Sequence, residues 1–393
     1  MTEEEKQEVI GLCRRLIQTR SYSGEEQGVV KLLSEYMKEN GFDEVYTDRY
    51  GNVIGRIFGN RPGPTLLFDG HIDTVPVNSP ERWTHDPFGA EIVDGKIYGR
   101  GTSDMKGAVA AYTAAAAAFL KKHGHDFAGT ICVDGVVHEE CFEGVASRAI
   151  SEREKPDVVI IGEASECKIK SGQRGRAEIV LETFGKSVHS SNPEKGVNAV
   201  YAMLEMTDAV RKLPVVETPE LGRGILELTD IKSSPYPGAS VVPDYCRVTY
   251  DRRLLQNETK ESILAPIEEL AEKYMAAHPE GEVRVSLARG QETCYTGEQI
   301  EDERFFPAWY FAPEEDYLVQ TAKALEEAGI KPEFTHYSFC TNGSHYAGEK
   351  GIRTFGFGPS KEELAHTVDE YVELEQLLCA AAGYEAIMQG FLG

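Results

Sequence analysis

The chain predicts an α/β protein whose first domain is interrupted by a smaller, inserted one. Two patterns point there. Short β-branched apolar runs alternate with helix-like stretches, as in a sheet covered by helices. A middle segment then reads strand–helix–strand–strand–helix–strand, a ferredoxin-like βαββαβ order, before the first texture returns. The length of 393 residues agrees, because a chain of this size outgrows a typical single core.

Residues 5–20 and 24–40 have amphipathic helical spacing, and Ser23 followed by Glu26 predicts a capping box that starts the second helix. Residues 43–57 alternate like a hairpin with Tyr50-Gly51-Asn52 as its turn. A short buried strand over 65–68 ends at Gly70-His71-Ile72-Asp73-Thr74-Val75-Pro76. The glycine-rich turn Gly99-Arg100-Gly101-Thr102-Ser103-Asp104-Met105-Lys106-Gly107 opens a helix over 106–123. Its alanines, Ala114 to Ala118, suit close packing against a sheet, and helix propensity alone also explains them. A core strand over 130–137 leads to Glu139-Glu140, and another over 157–161 leads to Glu163.

The inserted domain is predicted over 174–289, with strands at 177–184, 224–232, 245–254 and 282–287 and helices at 198–213 and 260–277. The first domain is then discontinuous, 1–173 and 290–393. It resumes through a helix at 314–328, a strand at 353–357 and a last helix at 372–391.

The formal charge of −24 argues against nucleic acid and against anionic membranes, since phosphate binding needs a basic surface. The first residues, Met1-Thr2-Glu3-Glu4-Glu5-Lys6, lack an apolar signal core, and the small-apolar stretch 107–120 is too short to span a bilayer. The eight cysteines include no Cys-x-x-Cys pair, so neither a zinc knuckle nor a disulfide framework is expected. A reducing cytoplasm is the simplest expectation.

The histidines and acids at these strand ends and turns suit a site for two divalent cations. Catalytic zinc takes imidazole and carboxylate ligands, and paired ions about 3.5–4 Å apart share a bridging carboxylate. Asp104 is the expected bridge, because it follows a Gly-x-Gly turn with little steric restriction. Asp73 lies two residues from His71 on the same strand face, where it can accept its hydrogen bond and fix its tautomer. Glu139 and Glu140, just beyond a strand end, can diverge into a base and a ligand. Each feature alone is weak. A Glu-Glu pair is usually solvated surface, Glu163 alone can cap a turn, and His366 alone can sit on the surface. Their joint occurrence in this order carries the reading.

With these motifs the sequence resembles, nearly end to end, the di-zinc family of aminoacylase, acetylornithine deacetylase, succinyl-diaminopimelate desuccinylase and glutamate carboxypeptidase. Gly185-Lys186-Ser187-Val188-His189-Ser190-Ser191-Asn192-Pro193 and Ala365-His366-Thr367-Val368-Asp369-Glu370 complete the set. The resemblance implies a zinc-hydrolase catalytic domain with an inserted lid and dimerisation domain. It implies one ion held by His71, Asp104 and Glu163 and another by Asp104, Glu140 and His366. Zinc is the expected metal, with cobalt and manganese also compatible. Glu139 matches the family's general base and Asp73 its supporting carboxylate. His189 matches a histidine that reaches a partner's active site in dimers, and Arg253 one that binds the substrate carboxylate. A cis peptide after Asp104 is also implied.

Some positions depart from the family pattern. Ser240 stands where many members carry asparagine near the substrate, Ala108 replaces a common glycine, and Cys141-Phe142-Glu143-Gly144 is unusual. Residues 340–345, with Asn342, and Gly356-Phe357-Gly358-Pro359 are expected at the pocket floor. Trp83, His85, Asp86 and Phe88 suit either the pocket mouth or a packed loop. The expected activity is hydrolysis of an amide in a small carboxylate-bearing molecule by a homodimer joined through its inserted domain. Alternatives are a dipeptidase or aminopeptidase of the same family, and a non-catalytic binder of peptide or metal.

Overall fold

A computed structural model describes all residues, 1–393. The chain divides into two compact units. One comprises Met1–Gln173, Gln291–Asp302 and Trp309–Gly393, and the other Arg174–Gly290 with Glu303–Ala308.

The first unit is built on a mixed sheet. Its heart is a parallel set in the order Ala128–Gly135, Arg61–Asp69, Val158–Ile161, Arg353–Gly356. Glu44–Thr47 and Val53–Phe58 extend one side antiparallel, and Ile169–Gln173 joins the other. The central strands are apolar along their whole inner length. Leu66, Leu67, Phe68, Ile131, Cys132, Val133, Val159 and Ile160 are fully buried, as expected of parallel strands covered on both faces.

Eight helices accompany the sheets: α1 Glu3–Gln18, α2 Gln27–Glu39, α3 Lys106–His123, α4 Ser147–Glu154, α5 Ala199–Val210, α6 Lys260–Ala277, α7 Asp316–Glu327 and α8 Leu374–Leu392. Thr2 and Glu5 form a capping box on α1. Ser23 and Glu26 do not form one on α2, whose N-cap is Glu26 without a side-chain bond. Ser23 instead donates to Asp73 at 2.7 Å, a charge-assisted bond that competes with the cap. The alanine face of α3 is buried, and it packs on α1 and α8 as well as on the strand Ala128–Gly135, so the close approach is largely helix to helix. Among the helices, none is long and apolar enough to cross a membrane.

The second unit holds an antiparallel sheet in the order Ile225–Ser234, Tyr245–Leu254, Gly175–Phe184, Glu282–Leu287. α5 and α6 pack on it around Ile179, Leu181, Met203, Met206, Val248 and Ile267. Strand Ile225–Ser234 is an edge, and Ile225, Leu228 and Ile231 on it are exposed, as are Tyr201 and Leu204 of α5.

Candidate metal centre

Three neighbouring parallel strands end on one side of the sheet, and each delivers a motif there. Arg61–Asp69 leads to His71, Ala128–Gly135 to Glu139 and Glu140, and Val158–Ile161 to Glu163. Parallel pairing thus gathers residues far apart in the chain, at the edge where open α/β sheets place their sites. Gly70 leaves room for two side chains at the first turn. A Cβ there would come 2.5 Å from Met105 Cε and 2.8 Å from the Tyr112 hydroxyl. The second turn is reversed by His138, in the left-handed region at φ 56°. Asp104 precedes α3 and is joined to Met105 by a cis peptide.

His71 Nδ1 donates to the backbone carbonyl of Asp73 at 2.9 Å, which leaves Nε2 free as an acceptor or ligand. The carbonyl, not the Asp73 carboxylate as the sequence suggests, fixes the tautomer. The carboxylate lies 3.6 Å from Nδ1. It has another task, accepting the N–H of Glu139 at 3.0 Å and of Glu140 at 3.3 Å. Asp73 thereby fixes the backbone of both glutamates.

His71 Nε2 stands 2.9 Å from Asp104 Oδ1, 3.5 Å from Glu163 Oε1 and 3.9 Å from Glu139 Oε2. His366 Nε2 meets the other oxygen of Asp104 at 3.1 Å and Glu140 Oε2 at 3.0 Å. Asp104 lies between the two imidazoles. Two donor groups, His71–Asp104–Glu140 and His71–Glu139–Glu163, have ligand atoms within 4.8 Å of one another. His71, Glu139 and Glu163 are buried, and His366 is exposed at the rim.

The electrostatics follow from this crowding. Burial, then the charges of Glu163, Glu143 and Glu140, push the Glu139 carboxyl well up, against the pull of His71. Burial and the Asp104 charge raise Glu163 to about 7. Burial alone would depress His71, but the neighbouring carboxylates of Asp104, Asp73 and Glu163 raise it well above the ordinary value. Burial would raise Asp104, yet His366 and His71 hold it below the usual carboxylate range. His366 rises to about 10 through its bonds to Asp104 and Glu140. Four carboxylates thus face two imidazoles, and buried Glu139 Oε1 has no hydrogen-bond partner. Uncompensated buried charge of one sign is costly, and hard oxygen donors with imidazole suit divalent cations. The residues therefore fit a metal centre.

Residues 67–390 match the Peptidase family M20/M25/M40. The chain belongs to this family. It is 36% identical over 391 residues to the uncharacterized protein YgeY of Escherichia coli (strain K12), covering 96% of this chain and 93% of YgeY. It is 29% identical over 398 residues to succinyl-diaminopimelate desuccinylase 2 of Ruegeria sp. (strain TM1040), covering 98% and 95%. The fold is similar to that of Bacillus subtilis YXEP, described as a dinuclear metal binding peptidase from the M20 family. That match has a TM-score of 0.74 at 14% identity and covers 99% of each chain. As an M20-family protein the chain is a metal-dependent hydrolase of amide or peptide bonds.

The remaining site candidates of this M20 hydrolase lie elsewhere. Asn342 is buried. Its amide donates to Asp69 at 3.0 Å and accepts from Gly144 N–H at 2.9 Å, which pins the segment under the strand end. Ser240, His189 and Arg253 belong to the second unit. His189 is exposed, with Nδ1 2.8 Å from Ser191 Oγ. Ser240 adopts φ 57°, and its carbonyl accepts the N–H of Ser190 at 2.9 Å. Arg253 Nε pairs with Asp251 at 2.9 Å and stands opposite Arg176 on the next strand. Trp83 and His85 form part of a packed loop, with the Arg100 guanidinium over the Trp83 ring and His85 stacked 4.0 Å from Tyr98.

Two buried residues of the M20 motifs have roles that sequence reasoning missed. Lys106 donates to Leu16 O, Thr19 O and Ser21 Oγ, tying the end of α1 to the start of α3, and burial lowers it to about 7. Glu370 accepts backbone N–H groups from the Asp104 turn. The only sequence signal for either was its place inside a motif.

Proposed function

We propose that the protein hydrolyses the amide bond of an N-acyl amino acid or a similarly small carboxylate-bearing substrate. The observation that carries this reading is Glu139, a buried carboxyl with an unpartnered oxygen, set beside clustered metal donors. A module that only binds has no need of such a base. In this reading His71, Asp104 and Glu163 hold one ion, and Asp104, Glu140 and His366 the other. Zinc is the preferred metal, with cobalt and manganese compatible. The bound ions supply Lewis acidity toward the substrate carbonyl and lower the pKa of the attacking water.

Glu139 takes the proton of that water and later delivers it to the leaving amine. Its Oε1, without a hydrogen-bond partner, is open to both transfers. Asp73 keeps the Glu139 backbone in place through its N–H bond. His189 donates toward the developing oxyanion. Arg253 leaves Asp251 to form a bidentate pair with the substrate carboxylate, and Ser240 lies near the substrate.

The ferredoxin-like unit serves as lid and dimerisation domain, and a homodimer lets His189 act in the partner's site. The exposed apolar residues Ile225, Leu228, Ile231, Tyr201 and Leu204 support that interface. The acidic chain works in the cytoplasm, without nucleic acid or membrane.

Likeness to a desuccinylase supports deacylation, and likeness to a metal-binding peptidase supports the dipeptidase or aminopeptidase alternative. Zinc-loaded enzyme assayed on N-acetyl and N-succinyl amino acids beside dipeptides decides. Turnover of acylated amino acids is expected. Turnover of free-amine dipeptides alone selects the alternative, and activity on neither class contradicts the hydrolase reading.

A further inference from the structure

The segment from His366 to Glu370 touches three parts of the first unit with three side chains. His366 meets Asp104 and Glu140. Asp369 accepts from the N–H and hydroxyl of Thr84, both at 2.8 Å, and from His85 N–H at 3.3 Å. Glu370 is fully buried. Its Oε1 accepts the N–H groups of Gly101 at 3.0 Å, Ser103 at 2.8 Å and Asp104 at 3.1 Å. Its Oε2 accepts from Arg100 Nη1.

Three convergent N–H groups form a concave anion cradle, of the kind that binds phosphate or carboxylate in other turns. Here a carboxylate of the chain itself fills it. Arg100 takes the second oxygen and so sets the angle at which the first enters the turn. The backbone N–H of Asp104 is therefore fixed from one side while its two carboxylate oxygens face His71 and His366 on the other. A shared ligand must present both oxygens at once, so small rotations of this turn separate the two imidazole arms.

We propose that Glu370 is the positioning residue for the bridging carboxylate, holding the Gly101–Asp104 turn so that Asp104 serves both metal positions. The inference rests on reading Asp104 as the ligand shared by two ions. Asp369 provides the comparison. It also caps backbone N–H groups from the same segment, but those of Thr84 and His85, away from Asp104.

The test is calorimetric titration of chelator-stripped protein with Zn²⁺, comparing wild type, Glu370→Ala, Glu370→Gln and Asp369→Ala. Glu370→Ala is expected to weaken at least one ion by about 10- to 100-fold, the usual consequence of losing a group that orients a ligand. Asp369→Ala is expected to leave both affinities within about twofold of wild type, well below that range. Wild-type affinity in a folded Glu370→Ala overturns the inference. So does an equal loss in Asp369→Ala, which would make the effect a general loosening of the segment. If Glu370→Ala does not fold, Glu370→Gln decides, since it keeps one neutral acceptor. A several-fold loss supports the role, and unchanged affinity overturns it. If wild type takes up a single ion, the two-ion reading fails, but the same comparison on that ion still judges Glu370.

Discussion

The two units treat charge in opposite ways. In the first, carboxylates outnumber imidazoles inside a buried cluster, and Glu139 keeps an oxygen without a partner. In the second, the charged residues are partly exposed and matched. Arg176 bonds Glu178 and Asp251, and Asp251 also takes Arg253, so the like-charged pair across the strands is neutralised locally. Matched surface pairs of this kind contribute little to stability and nothing to chemistry without a ligand. Unmatched buried acids are costly unless a cation or proton completes them. The contrast locates the metal donors and the unpartnered acid in the first unit.

Removing the unpartnered base gives the largest expected effect. Glu139→Ala should lower kcat by about 10²- to 10⁴-fold, the range for a general acid–base group, with metal content unchanged. Wild-type kcat in that variant would refute the role. Stripping metal should come next and should divide the units. Bound ions at about 1,000 times their Kd stabilise by about 4 kcal/mol. Hydrogen exchange should therefore speed up in strands Arg61–Asp69, Ala128–Gly135 and Val158–Ile161 on chelation, and stay unchanged in Gly175–Phe184 and Tyr245–Leu254. Uniform acceleration would erase the contrast.

In the second unit, Arg253→Met should raise KM about 10- to 100-fold, the worth of one charge-assisted pair, with little change in kcat. An equal fall in kcat would mean that the arginine acts beyond substrate binding.

The smallest effect concerns a matched group within the first unit. Burial alone would raise Glu349, but bonds from His345 and Arg148 hold it at about 2, below its ordinary 4.5. A depressed carboxyl stabilises the fold fully above 4.5, and that contribution fades as pH falls through about 2. Glu349→Gln should cost about 1–3 kcal/mol near pH 7. Melting curves of the two proteins should converge as pH falls through about 2, and a gap that persists undiminished below that pH would assign the loss to packing.

Much of the first unit could be read from sequence because its strands announce themselves. The buried run before Gly70-His71 and the one before Gly162-Glu163 are short, β-branched or apolar, and end in chemistry. The helix predicted over 106–123 has those bounds. What escaped were contacts between distant segments. Ser23 has the spacing of a helix cap, but its hydroxyl finds the charged Asp73, fifty residues on. Asn342 bonds a buried aspartate 273 positions away, a meeting no local pattern announces. Glu370 answers backbone donors 266 to 269 residues earlier, and no local pattern encodes that meeting. Pattern and propensity show which face is buried. They do not show which buried acid is matched and which is left open.

Anomalous diffraction from Zn²⁺-soaked crystals tests the central claim most directly. Two peaks are predicted, one among His71, Asp104 and Glu163 and one among Asp104, Glu140 and His366, with Asp104 common to both. A single peak, or peaks away from these side chains, would contradict it.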